Sequence, residues 1–400
     1  MAYHLPQAVD FETHNAAVAQ LWQDYGKRCQ ARVPVSINGS IRNLLSNPEL
    51  NRTGYTFKDF FVKAEAQVAC QLEYQHYVRH HVVCDREMGL PKNGWNLSLD
   101  FQNSHDQAWF GCPFLFFGDT DVPDTVEVLK DDPEALYKWG EPDAFWGRGD
   151  FMKHAMDMYQ GIKAKCDGGL EFHGRPVLPP TRFPCGGTDG LFTVALKLRG
   201  TVETMTDMYE NPKYFHDLMD YITRTSIARI KAHREWAWDH DPNYKGDRKH
   251  RGGFSHADDS IAMLSPDQFK EFVLPYMQRL FDEFHDGSGS HFHLCGDATH
   301  HFPFLAKQFN VKSFDTGFPV NHGKLRQVLG PDIQINGGPT IMLLQAGKPD
   351  AIRAETKRIC QSGVMEGRRF LLIAANNLAP CTPVENILAL YEAGKEFGKY

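Results

Sequence analysis

The run SHFHLC, Ser290 to Cys295, decides how this chain is read. It is short, its apolar residues alternate, and a helical pattern follows over about Thr299 to Gln308. That order predicts a strand and then a helix. The same unit recurs on both sides. Upstream, RGGFSHAD (Arg251 to Asp258) reads as a strand before a helix over about Pro266 to His285. Downstream, VKSFD (Val311 to Asp315) precedes a helix at His322 to Leu329, and DIQIN (Asp332 to Asn336) one at Asp350 to Ser362. RRFLLIAA (Arg368 to Ala375) precedes a last helix at Pro383 to Phe397. Five strand-then-helix units in a row call for a parallel sheet joined by right-handed crossovers. With an upstream half of similar length, the expected fold is α/β, a (β/α)8 TIM-type barrel.

The first half carries a weaker pattern. Val33 to Ile37 is expected to open the barrel. Trp95 to Phe101 and Pro113 to Phe117 read as strands, paired as a hairpin, with further strands at Leu170 to Phe172 and Leu191 to Leu196. Thr56 to Arg79 and Asn211 to Arg234 read as helices. The expected organisation is an N-terminal helical arm at 1–31, then a single barrel domain at 32–400 with an aromatic-rich insertion at about 85–150. Two helix starts have strong local chemistry. Ser265-Pro266-Asp267-Gln268 is a capping box with proline at the first helical position, and Thr382-Pro383-Val384-Glu385 has the same form. Each marks where a loop on the C-terminal side of a strand becomes a helix. Barrel active sites are built on that side.

Composition narrows the function classes. The 400 residues are 42% hydrophobic and 23% charged, which is enough for a large core and argues against disorder. Net charge is −7, so a nucleic-acid-binding face and a polybasic membrane attachment are not expected. The one dense basic stretch, Lys245 to Arg251, reads as a solvated loop. No apolar run approaches the ~20 residues of a membrane span, and MAYHLPQAVDFETH lacks the pattern of a secretory signal. Nine scattered cysteines in such a chain point to the reducing cytoplasm.

His293 and Cys295 end the predicted strand of the opening run. Residues i and i+2 of a strand face the same side, so imidazole and thiol point together at the catalytic rim. That pair suits zinc. Cys381 is the candidate third ligand, because it follows the fifth strand and stands just before the Thr382 cap. A helix N-terminus aimed at it would favour the thiolate. Three protein ligands with one open position is the catalytic pattern rather than the structural one. Asp258 and Asp259 end another predicted strand. They are candidates for a fourth ligand, a partner of the ligand histidine, or a proton donor to a leaving oxygen, and equally for a cap or an ion-pair partner. Asp315 is a weaker candidate at a later strand end, and His300 and His301 read as helix-surface residues.

Longer segments now carry a resemblance. His293-Leu-Cys-Gly-Asp-Ala-Thr, Ile335-Asn-Gly-Gly-Pro339 and Ala379-Pro-Cys-Thr-Pro-Val-Glu-Asn386 resemble segments of the uroporphyrinogen decarboxylase superfamily. So does Ala257-Asp-Asp with Leu264-Ser-Pro and Phe272-Val-Leu-Pro275. The likeness covers roughly residues 170–397 and is loose before that. The superfamily contains a cofactor-free decarboxylase of haem synthesis. It also contains zinc methyltransferases that work with corrinoid proteins, on coenzyme M or on methoxylated compounds. The decarboxylases carry an arginine-rich Met-Arg-Gln-Ala-Gly-Arg motif, whereas this chain reads VSINGSIRNL from Val35. Without paired guanidinium forks a polycarboxylate substrate is poorly served. The methyltransferases take zinc on the His and Cys of His-x-Cys and on a Cys near the C-terminus. The resemblance therefore implies His293, Cys295 and Cys381 as ligands, and Cys381 as the residue that separates the two chemistries.

The resemblance implies a zinc-dependent methyltransferase, with a corrinoid (cobalamin) held on a separate protein as partner. The favoured substrate is a methoxylated aromatic, because the insertion is rich in Trp, Phe and Tyr and could cover one. The alternatives are a thiol methyltransferase of the coenzyme M type and a metal-free decarboxylase. No G-x-G-x-x-G follows a strand, and no P-loop or H-E-x-x-H occurs, so nicotinamide, nucleotide and zincin chemistries are not expected.

Overall fold

The computed structural model describes residues 5, 7–118, 121–180, 183–240 and 252–400. The basic stretch Lys245 to Arg251 lies outside the described residues. Five strands form one parallel sheet: β1 (Gly252–Ala257), β2 (His285–Leu294), β3 (Val311–Thr316), β4 (Gln334–Gly337) and β5 (Phe370–Leu372). They lie side by side in chain order. Val35 extends the sheet past β5 by a parallel bridge to Leu372, with Ser36 N–H donating to Leu372 O at 2.9 Å. This is the winding of a TIM-type barrel, as expected from the sequence.

Alternation along β2 explains where its side chains go. Phe292 and Leu294 are buried, and Phe292 packs on Phe281 of the helix Leu274–Phe284, 5.6 Å between centroids. Burying each such side chain stabilises the fold by about 1.5–3 kcal/mol. Phe314, Ile335, Phe370 and Leu372 do the same on β3 to β5. His291, His293 and Cys295 therefore face the other side, into the barrel.

The helix after β1 is interrupted. Its capping box forms, Gln268 N–H donating to Ser265 Oγ at 3.3 Å and Ser265 N–H to Gln268 Oε1 at 2.8 Å. A π turn over Phe269–Val273 follows before Leu274–Phe284. Pro275 has no N–H to give the preceding turn, and the wider turn accommodates that loss. The second expected box does not form. Pro383 stands at the helix start, and Thr382 Oγ1 donates to Ala379 O at 2.8 Å.

The first half differs more from expectation. Leu191–Arg199 is a helix rather than a strand. Its exposed first-turn N–H groups are met by the Asp258 carboxylate, which local propensity could not reveal. Trp95–Asn96 pairs in parallel with Val177–Leu178, while Phe114–Leu115 pairs antiparallel with Asp124–Thr125, so the two do not form a hairpin together. Phe11–Gly26 is a helix capped by Asp10, and Trp22 Nε1 ties it to Asp85 O at 2.7 Å. Among the described residues no helix is long and apolar enough to cross a membrane.

Candidate metal centre

The register of three strands assembles the site. His291 pairs with Ser313 and His293 with Asp315 across β2 and β3. His291 Nδ1 meets Ser313 Oγ at 2.6 Å, and one step further His293 Nδ1 meets Asp315 Oδ2 at 2.7 Å. With Nδ1 on the carboxylate, the Nε2 of His293 is left to face Cys295 Sγ, 2.9 Å away. From the end of β1, Asp259 Oδ1 accepts the N–H of Cys295 at 2.6 Å and lies 4.0 Å from His293 Nε2. One ligand atom from each of Asp259, His293 and Cys295 falls within a 4.8 Å group. Across the barrel mouth, Asn376 Nδ2 donates to Cys295 Sγ at 3.1 Å.

Burial opposes a charge on His293, yet the hydrogen bonds to Asp315 and Cys295 outweigh it and push the ring up to about 11. A metal ion at this position would displace that proton and take its place between imidazole and sulfur. The donor set of nitrogen, sulfur and oxygen, with a carboxylate behind the imidazole, fits zinc with an open position.

The other sequence candidates are placed differently. Asp258 is fully buried and turned away from the cluster. It accepts the N–H groups of Phe192 (3.2 Å) and Thr193 (3.1 Å) and the Thr193 hydroxyl (2.9 Å), so it caps a helix. Burial raises its pKa to about 7. Gly190 lets it approach, since a Cβ there would lie 2.1 Å from the Asp258 Cγ. Cys381 is not in the group. Its backbone has φ +58° and its sulfur faces Ser46 O at 3.8 Å. The helix that follows begins at Val384 with Pro383 as its N-cap, and Thr382 makes no forward cap. Of the two histidines expected at the surface, His300 is exposed and His301 is not. His301 is buried, and both rings bond carbonyls of the segment after Asp259: His300 to Leu264 O and His301 to Ile261 O and Leu264 O.

Sequence reasoning passed over Asn376, although it stands at a strand end on the rim. It also passed over Asp189. That carboxylate is pushed up to about 8, first by burial and then by the like charge of Asp106. Asp106 is itself paired with the buried Arg229. No spacing rule connects Asp106, Asp189 and Arg229, because three distant segments bring them together.

The barrel and its rim cluster define a class of protein, and the comparisons agree. The family model described as "Uroporphyrinogen decarboxylase (URO-D)" matches residues 254–397. A methylated-thiol–coenzyme M methyltransferase of Methanosarcina mazei is 31% identical over 317 residues, covering 78% of this chain and 74% of that one. A uroporphyrinogen decarboxylase of Geobacter metallireducens is 26% identical over 187 residues, 46% of this chain and 50% of that protein. Among solved structures, a methyltransferase from Methanosarcina mazei superposes with a TM-score of 0.57 at 17% identity, covering 95% of this chain and 98% of that one. The chain belongs to the uroporphyrinogen decarboxylase superfamily, in its methyltransferase branch.

Proposed function

We propose that the chain is a zinc-dependent methyltransferase that moves a methyl group between a small substrate and the cobalt of a corrinoid on a separate protein. The observation that carries this reading is the meeting of Asp259, His293 and Cys295 at the C-terminal rim of the barrel. Those three residues would hold the metal, with Cys381 as a further sulfur ligand brought in by the loop 376–382. Bound zinc supplies a Lewis acid that takes up the charge left on the substrate heteroatom when the methyl departs. The chain's own residues set that up. Asp315 fixes the His293 tautomer and ring plane. Asp259 holds the backbone of Cys295, and Asn376 donates to its sulfur. The residues 1–31 and the insertion at about 85–150 are read as parts added to one barrel at 32–400.

A methoxylated aromatic is one substrate class for this site. A methylated thiol is the second, and two observations favour it. The relative named above acts on one. Part of the insertion's aromatic content is also spent on the core, since Trp95, Phe101, Trp109 and Phe110 are buried, while Phe117 and Trp146 are exposed. Elemental analysis of protein purified without chelators is expected to give about one zinc per chain. A Co(I) corrinoid protein offered anisole and, separately, dimethyl sulfide then identifies the donor through the visible spectrum of methyl-Co(III). A protein free of zinc would sink the reading and return the metal-free decarboxylase to first place.

A further inference from the structure

A cavity of about 330 Å3 opens between residues 37–50, the helix Ala64–His81, the segment 82–88 and the loop 376–382. None of Asp259, His293 or Cys295 lines it. Most of the surface is apolar, from Ile37, Leu50, Val78, Val82, Leu378 and Ile387. This volume is at the small end of the ~300–1,000 Å3 typical of ligand pockets.

Its polar groups are few and unevenly satisfied. Arg79 is neutralised by Glu87, Nη2 to Oε2 at 2.9 Å. Arg86 is exposed and donates from Nε to Ser36 Oγ at 3.1 Å, and among the described residues its guanidinium pairs with no carboxylate. The lining therefore has one uncompensated positive charge. Asn47, also in the lining, is 2% exposed, and its Oδ1 takes the N–H of Glu49 at 3.0 Å.

We propose that this cavity binds a small apolar carboxylate. The acid group pairs with Arg86, and the hydrocarbon body fills the space between the apolar walls. A guanidinium that bonds only through Nε keeps both Nη groups for a carboxylate. The site shares no residue with the three-ligand group, although Cys381, the further ligand proposed above, stands in its wall. The loop whose Leu378 and Cys381 line the cavity also carries Asn376, the donor to Cys295 Sγ.

The test uses the zinc-loaded full chain with 2-naphthoate as probe, in equilibrium dialysis. Saturable binding at one site per chain is expected, weakened about tenfold or more in Arg86→Gln, the loss of one charge-assisted pair. The neutral 2-naphthamide should bind more weakly to the wild type and equally to both proteins. Leu50→Trp, which fills the cavity, should abolish binding, and His293→Ala should leave it intact. Three results overturn the proposal. They are no saturable binding, equal naphthoate affinity in wild type and Arg86→Gln, or loss of binding in His293→Ala, which would assign the acid to the metal.

Discussion

Two sides of the barrel mouth are built in different ways. On one side, strands β1 to β3 present Asp259, His293, Cys295 and Asp315 from adjacent registers, and every contact among them follows from which residue stands beside which. On the other side, the loop 376–382 is held from outside. Asn43 Nδ2 donates to Leu378 O at 3.0 Å and to Ala379 O at 3.1 Å, and Leu378 N–H donates to Asn38 O at 2.7 Å. The strand side brings three donor atoms together. The loop side offers one contact, Asn376 on Cys295, and turns its cysteine outward. A sheet fixes geometry through its ladder, whereas a loop takes it from whatever it packs against.

The largest effect should come from the strand side. His293→Ala removes the nitrogen donor and is expected to abolish stoichiometric zinc and, with it, methyl transfer to the corrinoid. Zinc retained at one per chain would show that the strand side is not the metal centre. Asp315→Asn probes the layer behind. It leaves the donors in place but weakens the charge that orients His293, so zinc affinity should fall about 10–100-fold, as for other partners of ligand histidines. Competition against a chelator measures it, and an unchanged affinity would make Asp315 a bystander.

The same contrast decides what the sequence could tell. The alternation in SHFHLC places His293 and Cys295 on one face, and a strand keeps that promise regardless of context. The order of strands was equally legible, since each unit carries its own helix and each crossover has one hand. Cys381 stands out in the sequence by its place after the fifth strand, before an expected cap, and by the family resemblance. The cap did not form, because Thr382 bonds back to Ala379 instead of forward into the helix. Thr-Pro-x-Glu is compatible with either choice, and tertiary contacts select between them. Asp258 and Asp259 are neighbours in sequence with opposite duties, one capping Leu191–Arg199 and one in the cluster. Only the partner helix, sixty-odd residues earlier, separates those roles. The aromatic insertion could be read as a lid or as core, and composition does not distinguish them.

The smallest effect tests whether the two sides act as one. Asn43 is buried and holds two loop carbonyls. Asn43→Ala should cost about 1–3 kcal/mol of stability by leaving those carbonyls unpartnered. Its local signature matters more. Hydrogen exchange at Leu378 should accelerate, and in metal-free protein Cys381 should alkylate faster, because the loop loses its anchor while the strand ladder is untouched. Zinc held by His293 and Cys295 should stay near one per chain. If Asn43→Ala instead loses zinc as completely as His293→Ala, the loop is as much a part of the metal centre as the strands are, and the contrast between the two sides fails.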